Sequence, residues 1–270
     1  MQLSEFHGKR TWGPSPKYPN VMNYVPPDNR FKVISGPCSV ESVAQIFEIA
    51  SIIAAYGVTH LRGGVYRAGT YPGENFGLLP SHILSAFHEA ANSNELVNII
   101  EVLDVRLIDR LSEYADCFQV GCRQMQNYPL LRALGKTGKP IFLKRGTGST
   151  LDEFLGAAEH LLVGGAKDVT LIERGSSTYH NHVRWDLSIS MIPAVQLITK
   201  MPIVCDASHG TGRRDLVRPM ALAGAAAGAN GVLIEVHTDP VNSLSDADQA
   251  IKPVDLFGIV DDIKRIRSVL

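Results

Sequence analysis

Two short apolar runs in the C-terminal third, Pro202–Cys205 and Gly231–Ile234, each end in side chains that can do chemistry. Asp206 and His209 follow the first run, Glu235 and His237 follow the second, and Asp246 stands on the next loop. Near the other end of the chain, Cys38 comes just after the apolar run Phe31–Ser35 and the break at Gly36-Pro37. Cys38, His209, Glu235 and Asp246 offer a thiolate, an imidazole and two carboxylates. That donor set suits a divalent transition metal such as Mn, Fe, Co or Zn. Spacing alone does not assemble them. A single buried cysteine is ordinarily a small hydrophobe, and His209 equally suits a loop histidine or a general base.

A second set carries positive charge. Arg62, Arg123, Lys144, Arg145 and Arg174 stand at or just past the ends of successive apolar runs, with Glu101 and Glu173 among them. If those ends converge, they describe a pocket for a strongly anionic small molecule, for which phosphate is the natural group. Glu101 and Glu173 could orient the guanidinium groups. The alternative is a rim of structural ion pairs.

The elements that would bring these residues together repeat along the chain. Strands are expected at Phe31–Ser35, Thr59–Arg62, Val97–Leu103, Cys117–Val120, Pro140–Leu143 and Val169–Ile172, followed by the two runs above. Helical spacing lies between and after them: Val43–Tyr56 with Gly57 as C-cap, Ser81–Ala91, Val105–Tyr114, Tyr128–Leu134, Leu151–Leu162 capped by Ser149 or Thr150, Ile189–Thr199, an Ala- and Gly-rich helix beyond Arg214, and Val254–Val269. Strands that read as continuous apolar runs are those of a buried parallel sheet. The expected fold is α/β, a (β/α)8 TIM barrel over residues 31–270, in one domain, with residues 1–30 as an N-terminal arm or cap. Such barrels carry their active sites at the C-terminal strand ends. The runner-up, an open doubly wound sheet, lacks a GxGxxG after the first strand. The Gly-rich stretch after Arg62 has no helical pattern, and loops of that length are often functional.

Composition excludes several classes. The chain has 270 residues, 45% hydrophobic and 20% charged, with a formal net charge of -1, so no electrostatic case exists for nucleic acid or an anionic membrane. No apolar run approaches the ~20 residues of a membrane span. The four cysteines form no CxxC pair and no disulfide framework, and the first residues lack a secretion signal, so a cytoplasmic location is expected.

Several ordered motifs resemble one family. GPCSVES at Gly36–Ser42, LRGG at Leu61–Gly64, GCRQMQN at Gly121–Asn127, LKRG at Leu143–Gly146, IERG at Ile172–Gly175, DASHGTGRRDLV from Asp206 and IEVHTDP with LSD up to Asp246 are similar to those of the type I-beta 3-deoxy-D-arabino-heptulosonate 7-phosphate (DAHP) synthases. The wider superfamily includes the 3-deoxy-D-manno-octulosonate 8-phosphate (KDO8P) synthases. The resemblance covers about residues 31–270. It implies a barrel that condenses phosphoenolpyruvate with an aldose or aldose phosphate at the head of the shikimate pathway. It also implies a homodimer or homotetramer, and a divalent metal on Cys38, His209, Glu235 and Asp246. Arg62, Arg67, Thr70, Glu101, Arg123, Lys144, Arg174 and Asp206 would bind substrate. Cys38, Lys144 and His209 would be catalytic, Lys144 moving a proton near the leaving group and His209 helping to activate water. A Schiff base on Lys144 is the mechanistic alternative. A non-catalytic binding barrel and a lyase working without phosphoenolpyruvate are the others.

The sequence departs from the family at one loop. Where the heptulosonate synthases carry a KPRTSP-like run, this chain reads Arg67-Ala68-Gly69-Thr70-Tyr71-Pro72. Gly69 takes the place of an arginine for the aldose phosphate, so either the aldehyde differs or Arg184, Arg213 or Arg214 compensates. The SSTYHNHVRWD stretch adds His180 and His182, and its TYHN run is closer to the octulosonate branch. With about 30 residues before the barrel and none after its last helix, no feedback inhibition through a separate domain is expected.

Overall fold

The computed structural model describes residues 17–67 and 77–270. Its strands are β1 (Lys32–Gly36), β2 (His60–Gly63), β3 (Tyr66–Arg67), β4 (Gly77–Leu78), β5 (Val97–Glu101), β6 (Cys117–Val120), β7 (Ile141–Lys144), β8 (Val169–Glu173), β9 (Ile203–Asp206) and β10 (Gly231–Glu235). Eight of them close into a parallel barrel in the order β1-β10-β9-β8-β7-β6-β5-β2, while β3 and β4 form a small antiparallel pair in the loop after β2. β1 pairs with both β2 and β10, which seals the ring and rules out the open doubly wound sheet. The helices are α1 (Pro19–Met22), α2 (Val43–Ala54), α3 (Ser81–Asn92), α4 (Ile108–Ser112), α5 (Tyr128–Gly135), α6 (Leu151–Val163), α7 (Met191–Ile198), α8 (Arg214–Ala226) and α9 (Leu256–Arg267). The result is the (β/α)8 barrel expected from the apolar runs. No helix among the described residues is long and apolar enough to cross a membrane.

Most strands run one residue past the apolar stretch that announces them. Backbone pairing continues through Gly36↔Glu235 and Lys144↔Ile172, where the side chains have already turned polar. The expected helix Val105–Tyr114 is instead a 3-10 turn, Val105–Leu107, with the Asp104 side chain accepting from Arg106 N at 2.9 Å, followed by α4. Local capping by a short acidic side chain favours the tighter turn there. Other ends follow the sequence signals. Gly57 (φ +80) closes α2 with N–H bonds from Gly57 to Ala54 and from Val58 to Ile53, a Schellman arrangement. Thr150 and Glu153 form a reciprocal capping box on α6. At the N-terminal end of the barrel, Glu159 accepts from the backbone of Asn20 and Val21, and Tyr24 hydroxyl accepts from Val169 N, so the chain around α1 is fastened there.

Strand side chains alternate between two faces, and this alternation builds the site. Ile34, Ile99, Cys117, Phe142, Ile172, Val204 and Leu233 meet inside the barrel as a closed apolar cluster. The other face, including Val33, Leu61, Ile100, Phe118, Leu143, Leu171, Ile203 and Val232, belongs to the core under the helices. His60 packs edge-on against Phe142, with ring centroids 5.7 Å apart, and so shares the interior layer. Two residues further along each strand, on the same inner face, stand Gly36, Arg62, Glu101, Gln119, Lys144, Arg174, Asp206 and Glu235. A charged layer therefore lies directly above an apolar one.

Gly36 is what lets β1 and β2 come close at this level. Its φ is +144, and a Cβ built there would lie 2.0 Å from the Arg62 carbonyl oxygen. Gly36→Ala is expected to destabilise the protein by about 3 kcal/mol and to displace Arg62. Urea denaturation followed by circular dichroism measures this, and an unchanged midpoint would refute the close-approach role.

Candidate active site

The ends of β1, β9 and β10 and the loop beyond β10 converge on one group. One ligand atom from each of Cys38, His209, Glu235 and Asp246 lies within 4.8 Å of all the others. Cys38 Sγ is 2.9 Å from Asp246 Oδ2, and His209 Nε2 is 3.5 Å from Glu235 Oε2. Each of these side chains is set by its own backbone contacts. The turn carrying Cys38 is stitched to the end of β2 by Gly64 N donating to Cys38 O and Val40 N donating to Gly64 O. His209 N donates to Asp206 Oδ1 at 2.9 Å, and the Asp206 carboxylate also holds ring Nδ1, at 3.0 Å to Oδ2, which leaves Nε2 facing the cluster. Glu235 N donates to Ser208 Oγ.

Asp246 takes a left-handed conformation (φ +52) and is held from both sides. Arg184 Nη1 lies 3.0 Å from its Oδ1. Just before it, Ser245 and Ser39 hydroxyls meet at 2.9 Å, and Leu244 N donates to Glu41 Oε1. Glu41 also pairs with His237 at 3.1 Å, and Gln45 reaches the same imidazole. His237, at the end of the last strand, therefore braces the Asp246 loop against the Cys38 loop.

The residues present fit a metal. Glu235 Oε2 accepts from Arg62 at 2.9 Å and Gln249 at 2.7 Å, while its Oε1 is buried with no hydrogen-bond partner among the described residues. A buried carboxylate oxygen left bare beside a thiol, an imidazole and a second carboxylate is suited to a soft-to-borderline divalent cation. The electrostatics point the same way. Burial, then the Glu235 and Asp246 carboxylates, push the Cys38 thiol far up. Burial raises Glu235 to about 7 despite Arg62. Burial also drives His209 down to about 4, the neutral form that ligates. Burial would raise Asp246, but His209, Cys38 and Arg184 outweigh it and hold it at about 2.

The cations occupy the other half of the mouth. Arg62 and Lys144 are buried and paired, Arg62 with Glu235 and Lys144 Nζ with Asp206 Oδ2 at 2.9 Å. Asp206 is fully buried; burial would raise its carboxyl, but His209 and Lys144 hold it well below the usual range. Glu101 accepts from Gln119 Nε2 and stands where a side chain on Gly121 would collide with it. Arg174 is 5% exposed, makes no ion pair among the described residues, and lies against Trp185 with 4.9 Å between Cζ and the ring centroid.

Set against the sequence expectations, the barrel brings Cys38, Arg62, Glu101, Lys144, Arg174, Asp206, His209, Glu235 and Asp246 to one mouth. Arg123 stands exposed on the turn Cys122–Gln124 after β6. Only the backbone of Arg67 is described, in β3, and Thr70 lies outside the described residues, as do Ala68, Gly69, Tyr71 and Pro72. Arg145 and Glu173 do not join the mouth. They fall on the opposite side of the alternation and pair with each other at 3.2 Å. Burial raises the Glu173 carboxyl, with Arg145 opposing. Gln119, Gln249 and Trp185 take part without having been singled out. Gln119 could have been found by counting two residues on from Cys117.

Metal uptake must displace protons from Cys38 and Glu235, because both are pushed up in the metal-free site and only their ionised forms ligate. Affinity for Mn²⁺ or Zn²⁺ is therefore expected to rise steadily from pH 6 to pH 8. Calorimetric titration across that range tests it, and a pH-independent affinity would contradict the assignment.

A family model described as the DAHP synthetase I family matches residues 24–265. A phospho-2-dehydro-3-deoxyheptonate aldolase of Thermotoga maritima is 38% identical over 241 residues, covering 89% of this chain and 71% of that protein. A truncated form of the Thermotoga maritima 3-deoxy-D-arabino-heptulosonate 7-phosphate synthase superposes with a TM-score of 0.82 at 36% identity, covering 90% of this chain and 88% of that one. A 2-dehydro-3-deoxyphosphooctonate aldolase of Nitrobacter hamburgensis is 27% identical, covering 81% of this chain and 82% of that protein.

Proposed function

The chain belongs to the DAHP synthetase I family, and from that premise we propose that it condenses phosphoenolpyruvate with an aldose phosphate, erythrose 4-phosphate, to give a 3-deoxy-2-ulosonate phosphate and inorganic phosphate. The observation that carries the reading is Arg174, a buried guanidinium at the barrel mouth with no carboxylate partner among the described residues. Burying a cation unpaired is costly, so such a group is retained where an anion completes it. Phosphoenolpyruvate brings a carboxylate and a phosphate, and Arg62, Arg67, Arg123 and Lys144 would share them with Arg174.

In this reading C3 of phosphoenolpyruvate attacks the aldehyde carbon. Positive character develops at C2, water adds there, and the bond from C2 to the phosphate oxygen breaks. A divalent metal held by Cys38, His209, Glu235 and Asp246 would supply Lewis-acid polarisation of the aldehyde carbonyl. The cations keep the two reactants in register and neutralise the departing phosphate. Lys144 hands a proton to that phosphate; its pairing with Asp206 as an ammonium supports this role over a Schiff base. Asp206 orients His209 through Nδ1, and its burial beneath both partners supports a positioning role. Glu101 would orient the substrate from beside Gln119. A homodimer or homotetramer in the cytoplasm, opening the shikimate pathway, belongs to the same reading; the four free thiols suit a reducing compartment.

A second reading, the same chemistry on a different aldehyde, has its own support. Arg184 is engaged by Asp246, Arg213 by Asp215, and Arg214 by the carbonyls of Ala247 and Ala250, so the cations available to replace the arginine missing at Gly69 already have protein partners.

Phosphate release from phosphoenolpyruvate with Mn²⁺, using erythrose 4-phosphate, arabinose 5-phosphate and unphosphorylated sugars, separates the two readings. Turnover with a micromolar KM for erythrose 4-phosphate supports the first; turnover only with another aldehyde supports the second. Arg174→Ala is expected to lose about 2 kcal/mol of transition-state binding, roughly 30-fold in kcat/KM for phosphoenolpyruvate. Release from none of the panel by metal-loaded protein would overturn both.

A further inference from the structure

Arg174 is held in a way that Arg62 and Lys144 are not. They are fixed by carboxylates, whereas its one hydrogen bond among the described residues is a long contact, 3.5 Å, from Nη1 to the Gly175 carbonyl. What lies against it is the ring of Trp185, and on that ring a second guanidinium, Arg184, has Cζ 5.9 Å from the centroid. Arg184 in turn reaches the carboxylate of Asp246.

The ring is placed by backbone. Ser176 and Asp186 exchange N–H···O bonds of 3.0 Å in both directions, forming a short antiparallel bridge just beyond β8. Ser177 N donates to Thr147 O, and Arg184 N donates to Thr211 O, which ties this loop to the loops after β7 and β9. Gly175, at φ +88, lets it close: a Cβ there would lie 2.9 Å from Trp185 Cβ and 2.7 Å from the Gly210 carbonyl. Trp185 therefore sits on a fastened hairpin, with its face toward the guanidinium.

An aromatic face and a carboxylate hold an arginine differently. A carboxylate neutralises the guanidinium and occupies its in-plane N–H donors. An indole face attracts the cation through its quadrupole and leaves the N–H donors at the edge available. We propose that Trp185 is the positioning residue of the anion pocket, holding the Arg174 guanidinium by its face so that its N–H donors stay open for the carboxylate or phosphate of phosphoenolpyruvate. The proposal rests on the reading of Arg174 given above, and it gives a function to part of the SSTYHNHVRWD stretch that the metal and phosphate sets left unused.

The test uses the Mn²⁺-loaded full chain with phosphoenolpyruvate and no aldehyde, so that binding is read without turnover. Trp185→Leu removes the π face, and calorimetry is expected to show phosphoenolpyruvate binding weakened about 10-fold, with Mn²⁺ affinity within twofold of the parent. Trp185→Phe keeps an aromatic face and is expected to stay within threefold. In steady-state assays the Leu loss should fall on the KM for phosphoenolpyruvate, not on kcat.

The chain has two tryptophans, Trp12 and Trp185. In a Trp12→Phe background, saturating phosphoenolpyruvate should therefore shift or quench the emission of Trp185. Unimpaired phosphoenolpyruvate binding by a folded Trp185→Leu protein would overturn the proposal, as would unchanged Trp185 emission. Should the Leu variant fail to fold, the Phe variant and the emission titration decide. Arg174→Ala separates the two levels. If it binds phosphoenolpyruvate normally, the reading of Arg174 fails. If it is impaired while Trp185→Leu is not, only the role of Trp185 fails.

Discussion

A ring of charge above a ring of hydrocarbon is the constraint on which this molecule depends. Phe142, Ile172, Val204 and Leu233 fill the barrel, so the side chains one step above them can reach neither water below nor the core behind. They must satisfy one another or a ligand, because each buried group left bare costs free energy. Most of the balance is internal: Arg62 with Glu235, Lys144 with Asp206, Gln119 with Glu101. The balance is incomplete: Arg62 Nε and Gln119 Oε1 are buried without a hydrogen-bond partner among the described residues, and two further groups have opposite character. Arg174 has donors without a carboxylate, and Glu235 has an oxygen without a donor. The first calls for an anion and the second for a cation, and both stand in one mouth.

The same pairs connect the cations to the group around Cys38. Glu235 Oε2 accepts from Arg62 and lies 3.5 Å from His209 Nε2, while Oε1 has no hydrogen-bond partner among the described residues, so this carboxylate joins the guanidinium to the group of Cys38, His209 and Asp246. Asp206 does the equivalent for His209 and Lys144. Loops do the rest. The brace from Glu41 to His237 and Leu244 fixes Asp246 against Cys38, although these ligands come from opposite ends of the chain. Barrel closure through β1 makes those ends neighbours.

Much of this was legible in the sequence because buried parallel strands are written as apolar runs and their ends as abrupt polarity. The eight strands, and the charged positions at their ends, follow from that contrast. What the contrast cannot carry is direction. Lys144 and Arg145 are adjacent and chemically alike, yet a period of two sends one into the mouth and the other to Glu173 on the far side. Nor does it detect groups without charge. Gln119 and Gln249 complete the polar layer as amides, and Trp185 acts through its face. Most strand ends were read one residue short because hydropathy stops where the pairing still runs, while the expected Val97–Leu103 ran two residues past the end of β5. The family resemblance supplied the ligand set that spacing left open, since Cys38 and Asp246 meet only through closure of the barrel.

The central claim is that the mouth holds a cation and an anion at separate, specified groups. Its most direct test is a crystal structure of the protein soaked with Mn²⁺ and phosphoenolpyruvate, with anomalous data collected near the manganese edge. The account predicts one anomalous peak bounded by Cys38 Sγ, His209 Nε2, Glu235 Oε1 and Asp246 Oδ2, and phosphoenolpyruvate oxygens on the Arg174 guanidinium. A peak elsewhere, or a well-ordered phosphoenolpyruvate with Arg174 uninvolved, would contradict it.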